Sequence, residues 1–367
     1  MFVFQRPFPT VSIMKPTGLV RSDICLKHDM GMYHPESPER LEVLYRMLDE
    51  LGMTLNLKYA KPRNATIEEL CANHDPRYVD KIKCTSGCEN VFLDPDTSAC
   101  CDSWDAAIAA VGGLLSLVDD VMEGTVRNGF ALIRPPGHHA ENRRAMGFCL
   151  FNNIALAAHY ALNHYHLERI AIVDWDLHHG NGTQSAFYED PRVLFISTHQ
   201  YPHYPGTGGI REVGHGVGEG YTINVPLPSG CGNAEYITVF HRLVCPLLEA
   251  YQPQLILVSA GFDAHEKDPL GGMNLTEDGY EYMVKVLMNL AYSTCGERLI
   301  LVLEGGYNLG ALINSVKRIL YCLSAYDPSQ EPLSEAPDVT TLTYTFRARL
   351  RDVLAFAGRY WPTLPQL

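Results

Sequence analysis

The run Ile172-Val173-Asp174-Trp175-Asp176-Leu177-His178-His179-Gly180-Asn181-Gly182 concentrates groups able to hold a divalent cation. Ile170, Ala171, Ile172 and Val173 read as a buried strand that empties into two aspartates and two histidines. Side chains alternate along a strand, so Asp174, Asp176 and His178 can share one face. Carboxylates beside an imidazole begin a metal site, and burying them without a cation or another partner is costly. Taken alone, the segment reads equally well as a polar strand end solvated at the rim of a sheet.

Groups of this kind need a scaffold, and the chain alternates strand and helix. Apolar β-type runs lie at residues 129–133, 170–173, 193–197, 255–259 and 299–303, and helical patterns at 102–123, 152–164, 234–251 and 276–292. Asn233 suits the start of the third helix as a cap, and Thr276-Glu277-Asp278 puts acidic residues at the positive end of the fourth. Continuous apolar strands between amphipathic helices predict an α/β fold, a single-domain open parallel sheet flanked by helices on both faces. The Pro- and Gly-rich stretches 200–220 and 226–232 predict long loops at the carboxyl ends of the strands. No repeat or domain boundary is visible, so residues 1–367 read as one domain. Its motif-bearing core covers about 25–310 and a helical segment about 311–367, with 324–341 irregular.

Ligands of parallel sheets bind beyond the carboxyl ends of the strands. Each predicted strand of the central set is followed by a polar cluster. These are Arg134-Pro135-Pro136-Gly137-His138-His139-Ala140, the Asp174 to His178 run, Ala260-Gly261-Phe262-Asp263-Ala264-His265 and Glu304-Gly305-Gly306-Tyr307-Asn308. Any one of them could be a satisfied surface turn; four at the same sheet edge point to one site. Asp176, His178 and Asp263 offer one nitrogen and two carboxylate ligands and leave positions open for water and substrate. That is the pattern of a catalytic zinc site, not of a closed structural one.

Composition narrows the classes. The chain has 367 residues, 46% hydrophobic and 19% charged, enough for a large core. No apolar run approaches the roughly 20 residues of a membrane span. Residues 1–23 lack a basic segment, a continuous apolar core and a small-residue cleavage site, which predicts no secretory signal. Eleven scattered cysteines predict reduced thiols in a cytoplasmic compartment. Cys84, Cys88, Cys100 and Cys101 are the only candidates for a structural metal or a disulfide, and their spacing fits no common zinc pattern. A net charge of −13 disfavours a nucleic-acid groove. It is compatible with cationic substrates such as a basic peptide or a polyamine.

With these residues in view, the sequence resembles the histone deacetylase superfamily, which shares its fold with arginase. The resemblance runs from about residue 25 to residue 308. It rests on Cys25 and His28 with His34-Pro35-Glu36-Ser37-Pro38-Glu39-Arg40, the Arg134 to Ala140 run, Gly147-Phe148-Cys149-Leu150-Phe151-Asn152-Asn153 and the Asp174 to Gly182 segment. Tyr204-Pro205-Gly206-Thr207-Gly208, Ser259-Ala260-Gly261-Phe262-Asp263 and Glu304-Gly305-Gly306-Tyr307 complete it. Pro-Pro-Gly-His-His, Trp175 and His-His-Gly-Asn-Gly look like the class II branch and its bacterial amidohydrolase relatives.

The resemblance implies one Zn2+ held by Asp176, His178 and Asp263, with His138 and His139 as tandem acid/base histidines and Tyr307 as oxyanion donor. It implies that Asp174 partners His138 and that Asn181 stands where class I members carry an aspartate beside the second histidine. An amide stabilises imidazolium less than a carboxylate does, so His139 should be the less basic of the two. Phe148 and Tyr204 would line an acyl-lysine tunnel, the Gly147 carbonyl would accept the substrate amide N–H, and Asp94, or else Asp96, would be a rim carboxylate. Gly305 and Gly306 would let Tyr307 swing inward. Family sites for K+ or Na+ map to Asp174, Asp176, His178, Ser197 and Thr198, and to Phe187, Asp190, Val193 and Tyr221. The implied substrate is an acyl-lysine protein or peptide, or a small acylated amine. An acetylpolyamine amidohydrolase is the nearest rival; its acidic gatekeeper would fall where this chain has Leu270. A two-manganese ureohydrolase would want further aspartates, and a non-catalytic acyl-ligand binder would not need both histidines and Tyr307.

Overall fold

The computed structural model describes residues 14–51, 54–331 and 335–365. Most of the N-terminal stretch read for a signal and residues 332–334 of the irregular C-terminal stretch lie outside them. The strands are β1 (Thr17–Val20), β2 (Leu57–Tyr59), β3 (Val91–Asp94), β4 (Thr97–Ala99), β5 (Asn128–Ala131), β6 (Ile170–Asp174), β7 (Val193–Gln200), β8 (Thr222–Leu227), β9 (Leu255–Ala260) and β10 (Leu299–Leu303). Eight of them form one parallel sheet in the order β2-β1-β5-β10-β9-β6-β7-β8, while β3 and β4 make a separate antiparallel hairpin. Every residue of β5, β6, β9 and β10 is buried, as a strand covered on both faces must be.

Two groups of helices cover the sheet. Ser103–Met122, Asn153–His164 and Asn181–Phe187 pack one on the next and reach β1, β5, β9 and β7. Glu39–Leu51, Leu309–Ala325 and Glu277–Cys295 form the other group, with Glu277–Cys295 against β9 and β10. Local chemistry sets their ends. The Asn152 side chain accepts from Ala155 N at 3.0 Å to start one helix, and Gly296 at φ 63° ends another in the left-handed conformation that glycine favours.

Three details depart from the sequence expectations. The helix predicted over 234–251 is broken by a π-turn at Phe240–Val244, which directly precedes the segment Cys245–Tyr251 with Pro246 in its first turn. Proline has no N–H for a regular helix, and the wider turn accommodates it. Gly232, not Asn233, caps this helix; Asn233 instead bonds Thr276 through both side-chain atoms. β8 extends into the stretch 226–232 read as loop, because an edge strand tolerates Pro226.

The central strands are in register at their carboxyl ends: Val258 pairs with Val173 and Leu301, and Ile300 pairs with Gly129. The four polar clusters therefore leave the sheet side by side, on β5, β10, β9 and β6.

Candidate active site

β6 ends at Asp174, so the strand period does not itself carry Asp176 and His178 to one side. Two successive Asx turns do. Asp174 Oδ1 accepts from Asp176 N at 3.1 Å, and Asp176 Oδ1 accepts from His178 N at 2.9 Å. Asp263 arrives from the loop after β9. His178 Nδ1 then lies 3.1 Å from Asp176 Oδ1 and 3.0 Å from Asp263 Oδ2. All three side chains are buried, and among the described residues this is the only group of three or more such side chains that could hold a metal ion.

The donor set fits zinc. Ligands about 2.0–2.1 Å from a tetrahedral ion stand roughly 3.3 Å apart, close to these separations. The remaining oxygens are held by backbone: Gly305 N donates to Asp176 Oδ2 and Leu177 N to Asp263 Oδ1, each at 2.8 Å. Burial lowers the His178 pKa, but Asp176 and Asp263 outweigh it and raise it to about 10. The cluster is built to hold positive charge. Glycine is required beside it. A Cβ at Gly261 would sit 2.0 Å from Asp176 Oδ2, and one at Gly305 would sit 2.2 Å from Asp263 Oδ2. The role of Gly305 is thus room for carboxylates, while Gly306 supplies the left-handed φ of 117° before Tyr307.

The His138 and His139 rings are in contact, with centroids 4.0 Å apart and planes tilted by 41°. His138 Nδ1 donates to Asp174 Oδ2 at 3.1 Å, and its Nε2 is 3.7 Å from Asp176 Oδ1. His139 Nδ1 donates to Asn181 Oδ1 at 2.7 Å, and Asn181 Nδ2 donates to Glu141 Oε1 at 2.9 Å, which fixes the amide and leaves His139 Nε2 as the free lone pair. Burial would discharge both rings. Asp176 and Asp174 overcome it at His138, whose pKa stands well above the usual histidine value. At His139 burial is reinforced by His138 and His178, and its pKa falls well below that value.

Tyr307 follows β10. Burial pushes its phenol well above the ordinary value, so the hydroxyl stays a donor. The Arg40 guanidinium lies 5.0 Å from its ring centroid, and Arg40 Nε donates to Gly306 O at 2.7 Å. Glu36, in turn, pairs with Arg40 and Arg134. Phe148, at φ 69°, sets its ring edge-on to Tyr307 at 5.8 Å and to His34 at 4.7 Å. Tyr204, 36% exposed, packs edge-on to His139 at 5.2 Å.

Other expected residues are placed less simply. A Cβ at Gly147 would meet His139 Cδ2 at 2.3 Å, and the Gly147 carbonyl accepts from Cys149 Sγ at 3.3 Å. Asp94 pairs with Arg144 at 2.6 Å. Asp96 accepts from Gly147 N at 3.1 Å, so it braces the loop from below. Leu270 is half-buried. Around β7, Ser197 Oγ bonds His199, and Thr198 Oγ1 donates to the Asp174 carbonyl at 3.3 Å. The Asp190 carboxylate pairs with Arg192, and the Phe187, Asp190 and Tyr221 carbonyls accept from Asp190, Val193 and Phe195 N–H groups. All four clustered cysteines are free thiols and form no metal cluster among the described residues.

Sequence reasoning assigned no role to Glu304, Asp268 or Arg40. Glu304, fully buried, accepts from Gly137 N at 2.7 Å, from His138 N at 3.1 Å and from Ser259 Oγ at 3.2 Å, and so fixes the tandem-histidine loop. The available signal was a carboxylate directly after an apolar strand, where only a buried partner explains it.

Comparison with known proteins follows the same residues. A family model described as "Histone deacetylase domain" matches residues 34–323. A probable deacetylase of Archaeoglobus fulgidus is 38% identical over 355 residues, 94% of this chain and 98% of that protein. Histone deacetylase 15 of Arabidopsis thaliana is 40% identical over 337 residues, covering 90% of this chain and 59% of that protein. Histone deacetylase 7 of Homo sapiens is 35% identical, covering 98% of this chain and 41% of that protein. The chain thus spans nearly all of the archaeal relative but about half of the plant and human ones. The crystal structure of the HDA15 HD domain has the same fold, with a TM-score of 0.87 at 37% identity over 95% of this chain and 96% of that one. Since the match passes through every strand end that carries the site, the chain belongs to the histone deacetylase family.

Proposed function

We propose that the protein is a zinc-dependent amidohydrolase that removes acetyl or other short acyl groups from lysine side chains. The observation that carries this reading is the buried convergence of Asp176, His178 and Asp263 beside two histidines of opposite charge preference. Zinc held by those three residues would supply Lewis-acid polarisation of the scissile carbonyl and a water acidified to about pKa 7. His139 Nε2, neutral and unprotonated, takes the proton of the attacking water and returns it to the departing lysine nitrogen. His138 stays cationic through Asp174 and acts by its field. The Tyr307 hydroxyl donates to the oxygen that gains charge in the transition state. Phe148 and Tyr204 flank the apolar stem of the acylated lysine, and the Gly147 carbonyl orients its amide. Structural K+ or Na+ belongs in this proposal at Asp174, Asp176, His178, Ser197 and Thr198, and at Phe187, Asp190, Val193 and Tyr221.

The eleven free thiols support a reducing, cytoplasmic setting, and no helix among the described residues is long and apolar enough to cross a membrane. One apolar core running from Leu19 to Leu364 supports a single deacetylase unit. Leu270 at the gate offers no carboxylate for the distal cation of a polyamine, which favours acyl-lysine over acetylpolyamines. Turnover decides between them. Acetyl-lysine peptides should exceed acetylspermidine and acetylputrescine in kcat/KM; the reverse order would replace this substrate reading with the polyamine one.

A further inference from the structure

We infer that Asp268 is a positioning residue that ties the substrate gate to the oxyanion tyrosine and holds Tyr307 in register with the reacting carbonyl. The inference rests on the reading of Tyr307 and Leu270 given above. Asp268 is 7% exposed, and its two oxygens are spent on three backbone N–H groups. Oδ2 accepts from Tyr307 N at 2.6 Å and from Asn308 N at 3.2 Å, and Oδ1 accepts from Leu270 N at 3.0 Å. Its own N–H donates to His265 O at 2.9 Å, so it is anchored on the loop that carries Asp263.

Tyr307 needs such an anchor. It follows Gly305 and Gly306, the second at φ 117°, and precedes the helix Leu309–Ala325, which Asn308 caps through Ala311 N at 3.0 Å. Between a glycine pair with wide conformational freedom and the first helical residue, the backbone of Tyr307 and Asn308 is pinned by one carboxylate. The Arg40 guanidinium and the Phe148 ring bear on the aromatic ring and confine the side chain. Asp268 confines the backbone from which that side chain springs. Through its other oxygen, any displacement of Leu270 by a substrate's distal end reaches Tyr307 across one side chain.

An aspartate is specifically suited to this task, because a carboxylate accepts at both oxygens. Asparagine has a single acceptor oxygen: turned to Tyr307 and Asn308 it sets an NH2 group against Leu270 N–H, and turned to Leu270 it leaves both Tyr307 and Asn308 N–H unpaired. A catalytic group misplaced by about 1 Å can cost roughly 10²-fold in rate.

The test is a double-mutant cycle of Asp268→Asn and Tyr307→Phe, read on an acetyl-lysine peptide together with zinc content and thermal unfolding. Asp268→Asn should lower kcat about 10–100-fold, with KM changed less than about threefold and zinc content unchanged. Tyr307→Phe should lower kcat about 10²–10³-fold. In the Tyr307→Phe protein the added Asp268→Asn should cost less than about threefold, since the group it positions is gone. If the two losses multiply in full, or if Asp268→Asn sheds zinc or acts on KM alone, Asp268 does not work through Tyr307. A Tyr307→Phe enzyme with near-normal kcat fails differently: it removes the tyrosine from the mechanism, and this proposal with it. Should Asp268→Asn unfold, Asp268→Glu keeps both acceptor oxygens at a longer reach. That variant should retain zinc and lose kcat; full kcat would overturn the inference.

Discussion

The proposed metal cradle and the proposed substrate rim use the same bond in opposite senses. In the proposed cradle, Asp176 and Asp263 are the candidate ligands, and backbone N–H groups of Gly305 and Leu177 hold them from behind. In the loops of the proposed rim, the roles reverse: carboxylates of Asp96 and Asp268 accept from backbone N–H groups of Gly147, Leu270 and Tyr307 and hold those segments. An aspartate near the site is therefore no sign by itself of a catalytic group. Asp268 is buried like Asp176 and Asp263, so exposure does not by itself separate the two classes. What separates them is convergence with other donors: Asp176 Oδ1 and Asp263 Oδ2 lie 3.1 and 3.0 Å from the same His178 Nδ1.

This contrast can be broken at either end. Gly305→Ala attacks the cradle without removing a ligand. The new Cβ would lie 2.2 Å from Asp263 Oδ2 and 2.7 Å from Asp176 Oδ2, so a carboxylate must move. Displacing the support of metal ligands typically costs 10–100-fold in affinity or activity. Zinc content, measured after dialysis, and deacetylation should fall together by about that factor. Full occupancy with full activity would show that the cradle yields freely. Leu270→Glu attacks the rim, adding a carboxylate where the distal amine of a polyamine would lie. A partly exposed ion pair is worth up to about 1 kcal/mol, roughly fivefold. The ratio of kcat/KM for acetylspermidine over the acetyl-lysine peptide should rise by about that much, with zinc content unchanged. An unchanged ratio would remove Leu270 from the gate.

The same contrast explains what the sequence could disclose. The cradle was legible because its residues sit directly after apolar strands, and a strand end is visible in one line of sequence. Asp174 closes β6, and Asp176, His178, Asp263 and Tyr307 each follow β6, β9 or β10 within a few positions. The mechanism of their alignment was not legible, since Asx turns and not the strand period carry Asp176 and His178 past Asp174. The rim was harder. Asp96 reaches Gly147 across 51 residues and Asp268 reaches Tyr307 across 39, separations that leave no local pattern. Asp94, expected at the rim, is paired with Arg144, a contact equally invisible in sequence. In the sheet, the long apolar central strands were readable, whereas β1 and β2, with four and three residues, are too short for any period to register. β8 was obscured by Pro226, which only its edge position permits.

The central claim is that Asp176, His178 and Asp263 hold a catalytic zinc ion. Metal analysis of the native protein and of Asp263→Asn, each paired with turnover of an acetyl-lysine peptide, tests it most directly. The native chain should carry one zinc per chain and deacetylate, while Asp263→Asn, with one anionic ligand gone, should lose most of both. Full turnover by metal-depleted Asp263→Asn protein would contradict the account.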